Sequence, residues 1–425
     1  MTTESIFSGL KVVEIASFIA APAAATMLSD FGADVIKVEP PGMGDPQRLL
    51  SSVPPSPAAL GNYSWHLANR NKRGMSVNLK SEGGTQILRR LVEWADVLIT
   101  NFPHGTREGL HLGYEEVSSW NPRIIYADIT GFGDAGPDAK LPGFDLTAFW
   151  SRSGLLASTR DAGAPPTSPV WGSGDYTTAV AIYAAVTTAL YHRERTGRGA
   201  NVGTSLLAMG VWATGTLVSA ALAGGKPYEL NDRTKPVNAL TNPYQCGDGR
   251  WIMLAAKRSA FSVLANAIGR SDLLSDPRFS DLEAISQHAA ELADLLETEF
   301  RAQPLAHWKE VLDKARIPYG VIKTPEEAAE DPQLRAAEIV VPIEGAADLE
   351  YTVNNPLTLR GVARVPARRA PEHGEHTPKS LHNWDLARMT STTYKQRVRF
   401  PLPQSRRQRN DDDRSIDRAG AYRTP

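Results

Sequence analysis

The chain has 425 residues, 42% of them hydrophobic and 8% aromatic, enough to bury a sizeable core and, at about 100–200 residues per unit, to form two units. Lys and Arg number 46 against 47 Asp and Glu, a formal net charge of −1, so the basic footprint that drives non-specific nucleic-acid binding is absent. Cys246 is the only cysteine, which excludes an intrachain disulfide, a thiolate metal cluster and a CxxC redox pair, and fits a reducing cytoplasm.

The N-terminus carries Glu4 where a secretory signal has a basic residue, and no apolar run precedes Lys11, so secretion is not expected. Short apolar runs at 10–15, 35–38, 75–79, 97–101 and 124–129 alternate with helical patterns, which argues a parallel α/β sheet. The first connection, 20–30, has Pro22 just inside a helix and Gly32 beyond its end, giving one βαβ unit. Over 84–94, Ile87, Leu88, Leu91 and Val92 recur at helical spacing, with Arg89, Arg90 and Glu93 on the wet side. A long Ala- and Thr-rich helix is expected over 175–195, with Asp175 at its start and Gly197 past its end. Between Arg198 and Lys226 no side chain is charged, a stretch long enough to span a bilayer. Its richness in Gly, Ala, Ser and Thr argues instead for a helix near 204–224 packed in the interior or between subunits, with no membrane partner.

After Lys226 the character changes. The run Tyr244-Gln-Cys-Gly-Asp-Gly-Arg-Trp-Ile-Met-Leu reads as a hairpin through Asp248-Gly249, helices follow to about 315, and a turn-like Ile317-Pro-Tyr-Gly leads to strands near 338–343. The expected boundaries are 1–227 for the first part of a large domain, 228–320 for a small one and 321–382 for a return segment completing the large one. In 383–425, Arg406-Arg-Gln-Arg-Asn-Asp-Asp-Asp-Arg lacks apolar periodicity and reads as a disordered tail.

Several motifs fail on context. Gly131-Phe-Gly-Asp-Ala-Gly136 fits GxGxxG, but Pro137 and Lys140-Leu-Pro-Gly follow where a dinucleotide fingerprint needs a helix, and the loop after the first strand has no glycine. Glu39 then reads as an ordinary strand-end carboxylate. No GxxxxGK[ST] loop or GxSxG elbow is present, and His373-Gly-Glu-His376 reads as a polar loop rather than a metal site. Asp175, in Gly172-Ser-Gly-Asp-Tyr, serves either as a helix N-cap or, ionised in a Gly-rich turn open to a ligand, as a nucleophile.

Taken in order, the segments Leu10-Lys-Val-Val-Glu, Phe31-Gly-Ala-Asp-Val-Ile-Lys-Val-Glu-Pro, Asn71-Lys-Arg, Ala95-Asp-Val-Leu-Ile-Thr-Asn-Phe, Pro142-Gly-Phe-Asp, Asp175, Arg193-Glu-Arg-Thr-Gly-Arg-Gly, Asp276-Pro-Arg-Phe, Asp331-Pro-Gln-Leu and Gly374-Glu-His-Thr resemble the family III CoA-transferases. That family contains formyl-CoA transferase and carnitine CoA-transferase and is related to α-methylacyl-CoA racemase. The resemblance implies an α/β fold with a large Rossmann-like domain around a parallel sheet, a smaller α/β domain, and two chains interlocked as rings in a homodimer. It implies that Asp175 attacks an acyl-CoA thioester and that CoA passes, through an aspartyl anhydride and an aspartyl-CoA thioester, to a carboxylic acid acceptor. Coenzyme A is then a substrate, with no permanently bound cofactor and no metal. The family places CoA against Phe18 and Ile19 and against positions matching Val77, Lys80, Asn101 and Phe102, while the basic candidates for its phosphates are Arg73, Lys80, Arg107 and Lys140.

Two alternatives remain in the sequence. A racemase of the related kind needs a histidine acid/base where this chain has Phe144, and phenylalanine exchanges no proton; Asp145 reads as an N-cap for a helix starting near Leu146. A non-catalytic acyl-CoA-binding protein would keep the scaffold without needing Asp175. For the acyl group itself, Phe149-Trp-Ser-Arg-Ser-Gly is similar to segments of relatives acting on aromatic or branched 2-hydroxy acids, and otherwise reads as a helix packing face.

Overall fold

The computed structural model describes residues 5–226, 228–230 and 232–377, and the expected tail at 383–425 lies outside them. Six strands, β1 (Lys11–Ile15), β2 (Asp34–Glu39), β3 (Arg73–Ser76), β4 (Val97–Thr100), β5 (Ile125–Thr130) and β6 (Ala200–Ser205), form one sheet in the order β3-β2-β1-β4-β5-β6, every neighbouring pair parallel. The central strands are buried on both faces, which is why they read as continuous apolar runs. The strand order reverses between β1 and β4, so the loops leaving their C-terminal ends diverge and open a crevice at that edge.

One face of the sheet carries α1 (Ala20–Asp30), buried along its whole length because small side chains allow close approach. The other carries α2 (Glu82–Trp94), which Ser81 caps through Gly84 N at 3.1 Å and which buries Leu88, Leu91 and Val92. A 24-residue helix, α3 (Ser173–Thr196), lies beside α1 and seats Ala179, Ile182, Val186 and Ala189 in the same core. The result is a three-layer αβα sandwich.

The uncharged stretch after Arg198 is not the single helix expected near 204–224. It supplies edge strand β6 and then two short helices, α4 (Leu206–Ala213) and α5 (Gly215–Leu222), broken at Thr214. Ser205 starts α4 by accepting from Ala208 N, and β6 leaves no strand pattern in the sequence because Ala200-Asn-Val-Gly-Thr-Ser has almost no apolar signal. Among the described residues no helix is long and apolar enough to cross a membrane.

A second, antiparallel sheet runs β7 (Thr241–Gln245), β8 (Trp251–Ala255), β9 (Tyr319–Val321). The hairpin turns at Gly249, whose φ of 79° suits glycine, whereas the turn-like Ile317-Pro-Tyr-Gly run in fact delivers the third strand. In this sheet's own core Tyr244 stacks on Phe300 and Trp308 meets Phe300 edge-on, with centroids 5.1 and 4.9 Å apart. Residues 353–377 then return to the parallel sheet: Asn355 donates to Asp30 Oδ2 at 2.8 Å, Trp65 Nε1 to the Pro371 carbonyl at 3.2 Å and Ala370 N to His66 Nδ1 at 2.9 Å. His373 and His376 belong to this tie, bonding the Pro40 carbonyl and Gly74 N.

Candidate active site

Gly172, with φ 80°, caps α3, so Asp175 is the third residue of the helix and its carboxylate does not cap it. Asp145 does not cap its own helix either. Phe144 is the N-cap of a π-helical segment, Asp145–Ser151, with Phe144 N bonded to Thr147 Oγ1, while Asp145 Oδ2 accepts from Gly172 N at 2.5 Å. That bond ties the segment to the start of α3, and Gly174 permits the approach, since a Cβ there would overlap Asp145 Oδ1 and the Phe149 ring. Phe149 is buried in this contact with Ala148 and Leu206, and Trp150 donates to Ser173 Oγ at 3.2 Å, so both aromatics pack the segment.

Burial and the Asp145 carboxylate beside it push the Asp175 carboxyl up to about 7. Burial also raises Asp145, against the hydrogen bond from Gly172 N–H that favours its ionised form. Two neighbouring carboxylates sharing a partly dry site are therefore the electrostatic signature of this turn.

The loop after β1 forms the opposite wall. Phe18 has φ 65°, a left-handed conformation that a non-glycine residue holds only when its surroundings enforce it. Here Asp45 Oδ1 accepts from Phe18 N at 3.0 Å and from Gln47 N at 2.9 Å. The Phe18 ring meets Phe144 edge to face, centroids 6.2 Å apart, and Ile19 Cδ1 lies 3.1 Å from where a Gly172 Cβ would stand. Asn101, at the end of β4, clamps the same loop: it accepts from Ser17 N at 3.0 Å and donates to the Ser17 carbonyl at 2.7 Å.

Beyond Asn101 a cavity of about 290 Å³ opens at the C-terminal ends of β4 and β5, lined by Asn101, Phe102, Gly131 and Lys140 among others. The 131–143 loop closes it through a glycine–glycine crossing, because a Cβ on Gly131 would sit 2.6 Å from Gly143 Cα. The GxGxxG run thus serves as a loop wall and opens no helix. Val77 is buried and Lys80 exposed just past the end of β3, on the same sheet edge. Two predicted cations stand apart. Arg107 turns inward, its Nη1 2.6 Å from Asp128 Oδ2 and its Nη2 against the His104 ring. Arg73 begins β3 and so lies at the opposite edge, held by two bonds of 2.8 and 2.6 Å to Asp34. A larger cavity, about 860 Å³, borders Tyr176 and Thr177 on the flank toward the return segment and touches none of the predicted CoA-contacting residues.

The residues that sequence reasoning missed lie beneath the β1 loop. Lys37 Nζ is 2.6 Å from Glu14 Oε1 and 2.8 Å from Asp45 Oδ2, and Lys72 Nζ is 2.6 Å from Glu14 Oε2, all four groups buried. Burial alone would lower the Lys37 pKa, but the carboxylates of Asp45 and Glu14 outweigh it and hold the ammonium charged. Glu39 joins the same scaffold: it binds Arg48 at 2.8 and 2.7 Å and accepts from Asp45 N. The visible signal was charge on strands otherwise apolar, Glu14 in β1 and Lys37 in β2, each of which needs a buried partner. Among the described residues no three His, Cys, Asp or Glu side chains gather to hold a metal ion.

Residues 7–377 match the family model described as CoA-transferase family III. The chain is 32% identical over 380 residues to (R)-2-hydroxy-4-methylpentanoate CoA-transferase of Clostridioides difficile, covering 88% of this chain and 94% of that one. It is 33% identical over 360 residues to acetyl-CoA:oxalate CoA-transferase of Acetobacter aceti, covering 84% and 89%. The crystal structure of a CAIB/BAIF family protein from Brucella suis superposes with a TM-score of 0.78 at 29% identity, covering 90% of this chain and all of that one.

Proposed function

The chain belongs to CoA-transferase family III, and from that premise we propose that Asp175 carries CoA from an acyl-CoA thioester to a free carboxylic acid. The observation that carries the reading is the setting of Asp175: a carboxylate in the first turn of α3, engaged in no cap, partly dry, and just past Gly172, against which Ile19 of the β1 loop lies. Its oxygen attacks the thioester carbonyl, the C–S bond breaks, and CoA leaves as thiolate from an acyl-aspartyl anhydride. The thiolate attacks the aspartyl carbonyl, releasing the donor acid as carboxylate and leaving an aspartyl-CoA thioester. The acceptor carboxylate reverses both steps, so Asp175 is regenerated and no proton or electron is gained or lost. Partial burial helps to keep water from both hydrolysable intermediates.

In this reading CoA lies along the C-terminal edge of the sheet, against Phe18, Ile19, Val77 and Phe102. Asn101 fixes the loop rather than offering its amide, and the exposed Lys80 and Lys140 meet phosphate charge, since Arg107 and Arg73 are spent on Asp128 and Asp34. The reading also takes 1–227 with 321–382 as the large domain, 228–320 as the small one, a cytoplasmic setting, and an interlocked homodimer. Support for the dimer comes from α4 and α5, where Trp212 and Leu222 are more than 80% exposed on an uncharged stretch.

Replacing Asp175 by Ala tests the proposal. Transfer between acyl-CoA and acid should fall by about 10³-fold or more while CoA affinity stays near the wild-type value. Undiminished transfer would remove Asp175 from the chemistry, while acyl-CoA binding without transfer by either protein would favour the binding-protein reading. Loss of an α-deuterium label from a 2-methylacyl-CoA would point to the racemase.

A further inference from the structure

The geometry points to a bulky apolar acid, branched or aryl, as the group that Asp175 exchanges, with Phe18 and Phe144 as its specificity-determining wall; this rests on the reading of Asp175 given above. The two rings meet at 89° with centroids 6.2 Å apart, yet Phe18 is 37% and Phe144 58% exposed. Other aromatics of the same half, Phe31 and Phe149, are nearly fully buried, whereas this pair forms an apolar surface exposed to solvent.

The wall is held rigidly on both sides. Asp45 accepts the Phe18 N–H and so stabilises its left-handed backbone, and the buried Lys37 fixes Asp45 in turn. On the other side Phe144 is followed by Asp145, whose carboxylate is bonded to Gly172 N, the cap of the helix that bears Asp175. Ile19, next to Phe18, faces the same glycine. Both rings are therefore coupled through one or two residues to the turn that presents the nucleophile.

Charge makes the choice sharper. Asp145 is the charged side chain that Asp175 feels, and it repels. The cations of the β1 and β2 loops are already used: Lys37 by Glu14 and Asp45, Arg48 by Glu39. A dicarboxylic acid would bring its second carboxylate against two phenyl rings and two aspartates, where Lys37 and Arg48 are already paired. A branched or aryl group would instead cover the rings and extend the apolar contact. The relatives do not make this choice, because their names span a branched hydroxy acid and oxalate.

The test measures exchange by the purified protein for 4-methylpentanoate, 3-phenylpropanoate, acetate and succinate, each tried as acceptor and as its CoA thioester donor. The wild type should favour the first two over acetate and succinate by about tenfold or more in kcat/KM. Phe144→Ala should reduce that preference by about tenfold, chiefly through KM, while Phe144→Leu, which keeps apolar bulk, retains most of it. Exchange led by succinate, or a preference unchanged in Phe144→Ala, would overturn the inference while leaving Asp175 as carrier. No exchange with any of the four, together with no acyl-CoA-dependent label on Asp175, would overturn the underlying reading and this inference with it.

Discussion

At Asp175 two requirements oppose each other: the proposed role as nucleophile needs it ionised, while burial and the adjacent Asp145 hold its carboxyl up to about 7. Transfer should therefore rise with pH through about 7 and level off above it, as read from kcat/KM between pH 5 and 9. Asp145→Asn keeps an oxygen for the Gly172 N–H but removes the charge, so the midpoint should move to lower pH. The same shift fixes a stability effect. The folded-state value lies above the ordinary 3.8, so the protonated form favours the fold; that contribution is complete below about 4 and is lost as pH rises through about 7. Asp175→Asn should accordingly be inactive yet more stable than wild type at pH 8, by on the order of 2 kcal/mol in urea unfolding, with the gap closing toward pH 4. A stability gain over wild type no larger at pH 8 than at pH 4 would contradict the described electrostatics.

At the scale of elements, the site depends on how closely α3 approaches the π-helical segment and on what lies under the β1 loop. Gly174→Ala adds a methyl group where Asp145 and Phe149 already stand, so it should displace the helix start, lower transfer sharply and cost about 1–3 kcal/mol of stability. Glu14→Ala strips two buried ammonium groups of their shared carboxylate and should cost about 3–5 kcal/mol in denaturant unfolding. Much of the element pattern was legible: the five apolar strands, α1 with Pro22, α2 and the hairpin at Gly249 all carry local signals. What the chain concealed was set by tertiary partners. Strand β6 is polar because it lies at the sheet edge, Tyr319–Val321 is a strand because β8 offers it a partner, and Asp145 looked like an N-cap because its real acceptor role spans 27 residues. The sequence proposed Phe18, Ile19, Asn101 and Phe102 through family likeness alone, and their gathering at the β1/β4 crevice follows from strand order.

For the whole molecule, the exposed Trp212 and Leu222 of α4 and α5 are apolar surface that the proposed dimer would cover. Sedimentation should show a dimer whose thermal midpoint rises with protein concentration, and Trp212→Glu should shift it toward monomer and lower that midpoint. That CoA rides on Asp175 is tested most directly by peptide mapping after incubation with an acyl-CoA and trapping with hydroxylamine. The expected result is an acyl-CoA-dependent modification on the peptide containing Asp175, absent in Asp175→Asn. A folded protein that exchanges CoA between acids while that peptide stays unmodified would contradict it.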